Sequence, residues 1–434
     1  MASVIREPVW GDVVFDELEA AIIDTKEMQR LRWIRQLGTA CVVYPGATHS
    51  KFQHSLGTCH VAGRIFDAAM KNKDPDIDMT PEDRALVRLL GLLHDILHIA
   101  FGHILVDELR MFDKETHDTG ERLKLFLDAI AKDPRVQSAI PDSYPPDLFE
   151  TITHMLASEP DDLSRPFLLE IVKDTVCADL LDYLRRDYYY LGIQRVYDDR
   201  TYDYFSVAEH EGKPHLIVEL TENGRRAEDS LTELYHLLRI RYTLAERVYF
   251  HETKLAFDAM LDKAVYHSEL RQQRSRIDAL GDEGLLNYLE NTDPCPLVNQ
   301  LGKLLKARDH YRPAYMVSCE KKGGRRRWQP FMVADERRKA ERRIAEEAGP
   351  AVKYEELAIF CPDWGMSMKE ADVRVRDEQG DIHALKKHTE SDARRINQQH
   401  QRLWRFYAYS IEDTRDVVAD TCEDIFGCKN EYLP

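Results

Sequence analysis

The chain has 434 residues, 43% hydrophobic and 32% charged, with a formal net charge of −17. That composition suits one large globular domain with a smaller lobe, and the negative balance excludes a protein that coats nucleic acid through overall charge, though it leaves room for a local anion site. Eight cysteines with no C-x-x-C pair point to reduced thiols in the cytoplasm and away from a disulfide frame; no signal-peptide core follows Met1, and no apolar run reaches the ~20 residues that span a bilayer.

Residues 1–16 are expected to be extended around a turn at Trp10-Gly11-Asp12. The spacing of Leu18, Ile22, Ile23, Met28, Leu31, Ile34 and Leu37 predicts helix, restarting near Asp24-Thr25. A loop with Pro45-Gly46-Ala47 follows, then helices at about 50–72, 81–97 and 114–132, and mostly helix over 161–190. Runs at 204–208 and 215–220, separated by Glu211-Gly212-Lys213-Pro214, predict a β-hairpin, and a long helix is predicted over 226–267. Beyond about 306 the texture changes to short β-like runs at 314–319, 356–360, 371–376 and 381–386, with a charged helix over 336–347 and a final helix over 392–409. The expected fold is mainly α: an all-helical core over 1–305 with a small β-hairpin, and an α+β lobe over 306–434.

The chemistry gathers after the apolar run Leu89-Leu90-Gly91-Leu92-Leu93, where His94, Asp95, His98 and His103 follow within ten residues. Polar groups at the end of a buried helix must be satisfied, and imidazole beside carboxylate is a common way to hold a divalent cation. Neighbours on a helix lie about 100° apart, so His94 and Asp95 share an ion only with help from other elements. The stretches around His54 and around Asp179, Asp182, Tyr183, Arg186 and Asp187 must converge on them; the second places its polar side chains close to one helix face.

The order His … His-Asp … Asp is the HD-type phosphohydrolase pattern. With 29–38 (QRLRWIRQLG), 44–49 (YPGATH), 52–57 (FQHSLG), 94–98 (HDILH), Asp182-Tyr183 and Leu191-Gly192-Ile193, the chain resembles the core of the SAM-and-HD-domain deoxynucleoside triphosphate triphosphohydrolases over most of 3–265, and Asp363-Trp364-Gly365-Met366 echoes the family's C-terminal lobe. No SAM domain is expected, since the chain starts at the catalytic core. The resemblance implies hydrolysis of dNTPs to deoxynucleoside and triphosphate, with His54, His94, Asp95 and Asp179 holding a divalent ion. Iron, manganese or magnesium suits these ligands, and zinc or nickel is not excluded. It implies His98 and His103 at the α-phosphate and the leaving 5′-oxygen, with His103 as general acid, His117 tuning it and Asp107 its carboxylate partner. Gln36, Leu37, Tyr183, Asp187 and Tyr249 would read the nucleoside, with Asp187 on the 3′-hydroxyl and Tyr183 against a 2′-hydroxyl, while Lys51 and Arg241 would bind phosphates.

The chain departs from that pattern at Lys51, an arginine in the family, and at Leu180, a lysine there. Asp24, Gln29 and Arg32 match a regulatory site for a guanine nucleotide, but Ser3 replaces a lysine, Arg6 an asparagine and Glu252 a lysine. A homo-oligomer, dimer or tetramer, is therefore expected to form without added nucleotide. The competing readings are a phosphodiesterase or nuclease on single-stranded nucleic acid, with Lys321, Lys322, Arg325, Arg326 and Arg327 beside Trp328 and Phe331 as its track, and a nucleotide-sensing oligomer of weak catalysis. The dNTP reading is favoured, and no membrane partner is expected.

Overall fold

The computed structural model describes residues 3–112, 120–194, 197–222, 225–226, 228–318, 324–363, 372–388 and 392–432. Strands β1 (Ser3–Glu7) and β2 (Gly11–Phe15) pair antiparallel around the expected turn. Short helices Glu17–Ile23 and Lys26–Arg30 follow, split where Thr25 caps the second by accepting from the Met28 amide.

The helices that build the site start where their caps dictate. Helix α1 (Lys51–Asn72) opens on Ser50, whose hydroxyl accepts from the Gln53 amide while the Gln53 side chain accepts from the Ser50 amide. Helix α2 (Pro81–Leu93) opens on Thr80 with the same reciprocal pair to Asp83 and a proline in the first turn, where its missing N–H costs nothing. Helix α3 (Ala178–Leu191) stops at Gly192, whose φ of 69° is a left-handed conformation that residues with a side chain rarely adopt. Helix α1 is the central post. Its buried side chains, among them Phe52, Leu56, Cys59, Val61, Ile65 and Phe66, pack against both α2 and α3.

Beyond α3, strands β3 (Phe205–His210) and β4 (Lys213–Glu219) form the expected hairpin. The predicted long helix is then broken in two. Helix α4 (Glu228–Leu244) runs into a π-helical turn, Ala245–Tyr249, and helix α5 (Glu252–His267) restarts after His251, which caps it through the Thr253 amide. Such bulges recur at functional sites, and this one turns Tyr249 toward the cavity described below. Helix α6 (Pro296–Ala307) packs on α5.

Apart from a two-residue antiparallel pair, Thr221–Glu222 with Arg225–Arg226, the remaining strands among the described residues are β5 (Arg312–Ser318), β6 (Leu357–Phe360), β7 (Arg374–Arg376), β8 (Ile382–Ala384) and β9 (Arg405–Ser410), with helices α7 (Ala334–Ala348) between β5 and β6 and α8 (Arg415–Phe426) after β9. One sheet has the order β8-β7-β4-β3, with β4 and β7 parallel; another has the order β5-β9-β6, with β9 antiparallel to both neighbours. The predicted final helix over 392–409 is thus wrong in its second half: helix ends at Gln401, residues 405–410 are the central strand, and the last helix is α8. A central strand buried on both faces shows no alternation of polar and apolar residues, and Arg405–Ser410 is such a strand. The helix predicted over 81–97 stops at Leu93, and helix over 161–190 reduces to Phe167–Glu170 and α3 with a short 3-10 turn before them.

The fold is mainly α with small sheets. One apolar cluster fills the space between α1, α2, α3 and the β3–β4 hairpin. A second centres on α5 and joins Ile99–Phe112 side chains to Tyr311, Phe360 and Tyr409. No helix among the described residues is long and apolar enough to cross a membrane.

Candidate metal centre and active-site cavity

Three elements meet at one point. Helix α1 contributes His54 from a fully buried position, the C-terminal end of α2 contributes His94 with Asp95 beside it, and the first turn of α3 contributes Asp179. The end of α2 at Leu93 solves the problem of adjacent ligands, because His94 and Asp95 lie at and just past the helix end and need not obey its 100° spacing.

The orientation of both imidazoles is fixed from behind. His54 Nδ1 lies 2.7 Å from Asp182 Oδ2, and His94 Nδ1 lies 2.8 Å from the Gly91 carbonyl. Neither partner can donate, so each Nδ1 carries the hydrogen and each Nε2 presents its lone pair forward. The two Nε2 atoms are 3.3 Å apart. Asp179 Oδ1 is 3.0 Å from His54 Nε2 and 3.8 Å from His94 Nε2; the Asp95 oxygens are 3.6 Å and 3.5 Å from the same two nitrogens. Neighbouring donors around an ion with bonds of about 2.1 Å sit roughly 3 Å apart, so these side chains fit a divalent cation.

The electrostatics agree. Burial works against a charged imidazole at His54, but Asp179 and Asp182 outweigh it and carry the ring up to about 9. Burial likewise opposes charge on Asp179 and Asp182, and the histidines and Arg186 overcome it, holding both carboxyls well below their ordinary range. The cluster selects positive charge at its centre. Burial, helped by the Lys51 ammonium, pulls His98 down to about 4; its neutral ring sits with Nε2 3.1 Å from Asp95 Oδ1.

A cavity of about 370 Å³ opens beside this centre. Asp95 and Asp179 reach it, and so do Lys51, His103 and Asp107. Lys51 Nζ lies 2.8 Å from both Asp95 Oδ2 and His103 Nε2, and His103 Nδ1 is 3.0 Å from Asp107 Oδ2. Gln36, Leu37, Tyr183, Asp187, Arg241 and Tyr249 line the same space. The Tyr249 hydroxyl donates to Asp187 Oδ2 at 2.7 Å. The structure therefore brings together the residues singled out for the nucleoside and phosphates. His117 lies outside the described residues. Leu180 points into the apolar core and offers the cavity nothing.

Asp24, Gln29 and Arg32 lie away from this cavity. Gln29 donates to the Ile23 carbonyl, Arg32 donates to Gln29 Oε1 at 2.6 Å, and the Arg32 guanidinium stands 3.8 Å over the Phe52 ring. Arg32 and Phe52 help to line a second cavity of about 260 Å³ with Arg6, Glu7 and Gln53. Of the basic-aromatic track that the competing nuclease reading would need, the described part offers no stacking platform at Trp328. Trp328 is buried, 4.5 Å from Phe406 and 5.6 Å from Phe426 between ring centroids, so it is core and not a stacking platform; Lys321 and Lys322 lie outside the described residues.

Sequence reasoning misses what supports the centre. Asp182 is fully buried and accepts from Arg186 Nε and Nη2, at 2.9 Å each, and from Trp10 Nε1 at 2.5 Å; Arg186 in turn donates to Glu7. An aspartate four residues before an arginine ordinarily reads as a solvated helix pair. Similarly, Lys254 and Asp258 look like a surface pair, yet Lys254 Nζ is buried 3.0 Å from Glu108 and 2.7 Å from Asp258 at the cavity wall, with Thr39 donating to Asp258.

Gly57 on α1 makes the Asp182 network fit. A Cβ there would meet Asp182 Oδ1 at 1.8 Å and Arg186 Nη2 at 2.3 Å, both held by other partners. Alanine's helix propensity gains only about 1 kcal/mol, whereas forcing apart packed groups costs roughly 3 kcal/mol. Gly57→Ala is expected to lose about 2 kcal/mol of stability, read as a lower midpoint in urea; an unchanged midpoint would show that α1 and α3 separate freely.

Comparison with known proteins fits this geometry. A family model described as HD domain matches residues 52–187, a span that holds His54, His94, Asp95 and Asp179, and one described as HD associated region matches residues 229–432. The chain is 31% identical over 332 residues to the deoxynucleoside triphosphate triphosphohydrolase SAMHD1 of Bos taurus, covering 67% of this chain and 55% of that protein. It is 30% identical over 269 residues to the SAMHD1 homolog of Dictyostelium discoideum, covering 61% and 49%. An uncharacterized protein of Methanocaldococcus jannaschii is 28% identical over 372 residues, covering 82% and 71%. The chain spans about half the length of the two named triphosphohydrolases it matches.

Proposed function

We propose, from the HD-domain match over residues 52–187 and the similarity to two deoxynucleoside triphosphate triphosphohydrolases, that the chain is a metal-dependent hydrolase of deoxynucleoside triphosphates, releasing deoxynucleoside and inorganic triphosphate. The observation that carries this reading is the cavity that joins the His54, His94, Asp179 group, with Asp95 beside it, to Tyr183, Asp187, Tyr249, Arg241 and Lys51. Two relatives are named as deoxynucleoside triphosphate triphosphohydrolases.

When bound at this centre, a divalent iron, manganese or magnesium ion would draw charge from the α-phosphate and make water a better nucleophile. The protein's own side chains do the rest. Arg241 offers a planar fork to phosphate oxygens, and Lys51 a point charge. His98 stays neutral and donates a hydrogen bond near Asp95. His103 protonates the departing 5′-oxygen, while Asp107 accepts from its Nδ1 and stabilises the charged ring. For His103 Nε2 to reach the leaving oxygen, Lys51 must turn from it to the phosphates. Tyr183 closes against the 2′ edge of the sugar and Asp187 accepts from the 3′-hydroxyl. A homo-oligomer, dimer or tetramer, that forms without added nucleotide completes the reading.

The test is product analysis with purified, metal-loaded protein. Triphosphate is expected from dGTP at a rate at least about tenfold above GTP, the order that a missing steric fit imposes in a packed pocket. Equal rates for dGTP and GTP would remove Tyr183 from the sugar's 2′ edge. Cleavage of a labelled single-stranded oligonucleotide, with no triphosphate from any dNTP, would replace the reading with a nuclease.

A further inference from the structure

His49 occupies the loop that leads into α1, and its side chain is fully buried. Its Nε2 lies 2.8 Å from Asp187 Oδ1; the carboxylate accepts, so Nε2 carries the hydrogen. The other oxygen of Asp187 accepts from Tyr249. The His49 ring stacks on Tyr190 with centroids 4.6 Å apart, and the Tyr190 hydroxyl accepts from Gln53 Nε2 at 2.6 Å. His49 is thus clamped between α1 and α3. Its carbonyl also accepts from the Gln36 amide at 2.9 Å. Asp187, Tyr249 and Gln36 all line the cavity, and His49 sits behind them. Among the described residues its Nδ1 has no hydrogen-bond partner. A buried acceptor left unmet costs stability, so this histidine is held for the one bond it gives to Asp187 and not for a fully satisfied core.

The torsion that orients an aspartate carboxylate is soft. A donor on each oxygen fixes its plane, and the lone pairs left over then face the cavity. We propose that His49 is a positioning residue which fixes the Asp187 carboxylate for the sugar 3′-hydroxyl and so sets the preference for nucleotides that carry one. The inference rests on the reading of the cavity as a deoxynucleotide site with Asp187 on the 3′-hydroxyl. His49 touches no substrate; it acts through Asp187 by its side chain and spaces Gln36 by its backbone. Without its donor, the carboxylate rotates about its remaining bond to Tyr249, and the 3′-hydroxyl bond is made in only a fraction of molecules.

The experiment compares dGTP with its 3′-deoxy analogue in the full chain. Leucine at the position removes the donor, and glutamine places an amide N–H where Nε2–H stands. His49→Leu is expected to lower the ratio of kcat/KM for dGTP over the analogue by about tenfold, the order of one hydrogen bond to a charged group, through loss on dGTP with little change on the analogue. His49→Gln is expected to recover the ratio to within about threefold. The same ratio of Kd values is read in the His103→Ala background, where turnover is removed. Should His49→Leu not fold, His49→Asn, whose amide is too short to reach Asp187, takes its place. An equal loss on both nucleotides, with the ratio unchanged, would mean that His49 is structural only and overturn the proposal. A wild-type protein that hydrolyses both nucleotides alike would instead remove Asp187 from the 3′-hydroxyl, and the role of His49 with it.

Discussion

Asp179→Ala is expected to abolish both metal retention and turnover. Asp179 is the carboxylate nearest His54 Nε2, at 3.0 Å, and it approaches His94 Nε2 at 3.8 Å. Removing it takes away a negative ligand and leaves two imidazoles facing each other with Asp95 alone, which Lys51 already shares. Losing a partner behind a ligand typically costs 10–100-fold in metal affinity; losing the ligand costs more. The contrast with Asp182→Asn makes the test specific. Asp182 orients His54 through Nδ1 and does not face the centre, so that variant is expected to retain some metal, weakened about 10–100-fold, and to lose stability through Arg186 and Trp10. The Asp179 side chain is 38% exposed in the first turn of α3, but it also supports the charged His54 ring, so its loss is expected to lower the thermal unfolding midpoint of the metal-free protein as well. Metal analysis after gel filtration, together with product release, reads both variants. Full metal content in Asp179→Ala would place the ion elsewhere.

The convergence of α1, α2 and α3 is legible in the sequence because its signal is local. His94-Asp95 sits directly after an apolar run, and the caps at Ser50 and Thr80 mark the helices that must pack there. What cannot be read locally is how those side chains are braced. Trp10 and Glu7 stabilise Asp182 and Arg186 across more than 170 positions, and no spacing rule reports contacts at that distance. The break between α4 and α5 leaves little trace either: 245–251 contains no glycine or proline, and a π-turn keeps a helical appearance while adding one residue. Strand β9 is misread for a third reason. Phe406, Tyr407, Ala408 and Tyr409 are all buried, since β5 and β6 flank the strand and helices cover the sheet, so the polar alternation that marks a half-exposed strand is missing.

His103→Ala is expected to keep the metal and lose turnover by ~10²–10⁴-fold, the usual share of a general acid. His103 opens the π-helical turn His103–Glu108 and is half-exposed to the cavity. It touches no proposed ligand directly; its bonds run to Asp107 through Nδ1 and to Lys51 through Nε2. The variant therefore frees the Lys51 ammonium for Asp95 and phosphate without disturbing His54, His94 or Asp179. Substrate affinity should change little, so the loss falls on kcat and leaves KM within a few-fold. Asp107→Asn removes the acceptor behind Nδ1 and should lower kcat less than His103→Ala. A His103→Ala protein that purifies without metal, or that turns over as fast as the wild type, would move proton donation to another group, with His98 next in reach at 4.7 Å between ring centroids.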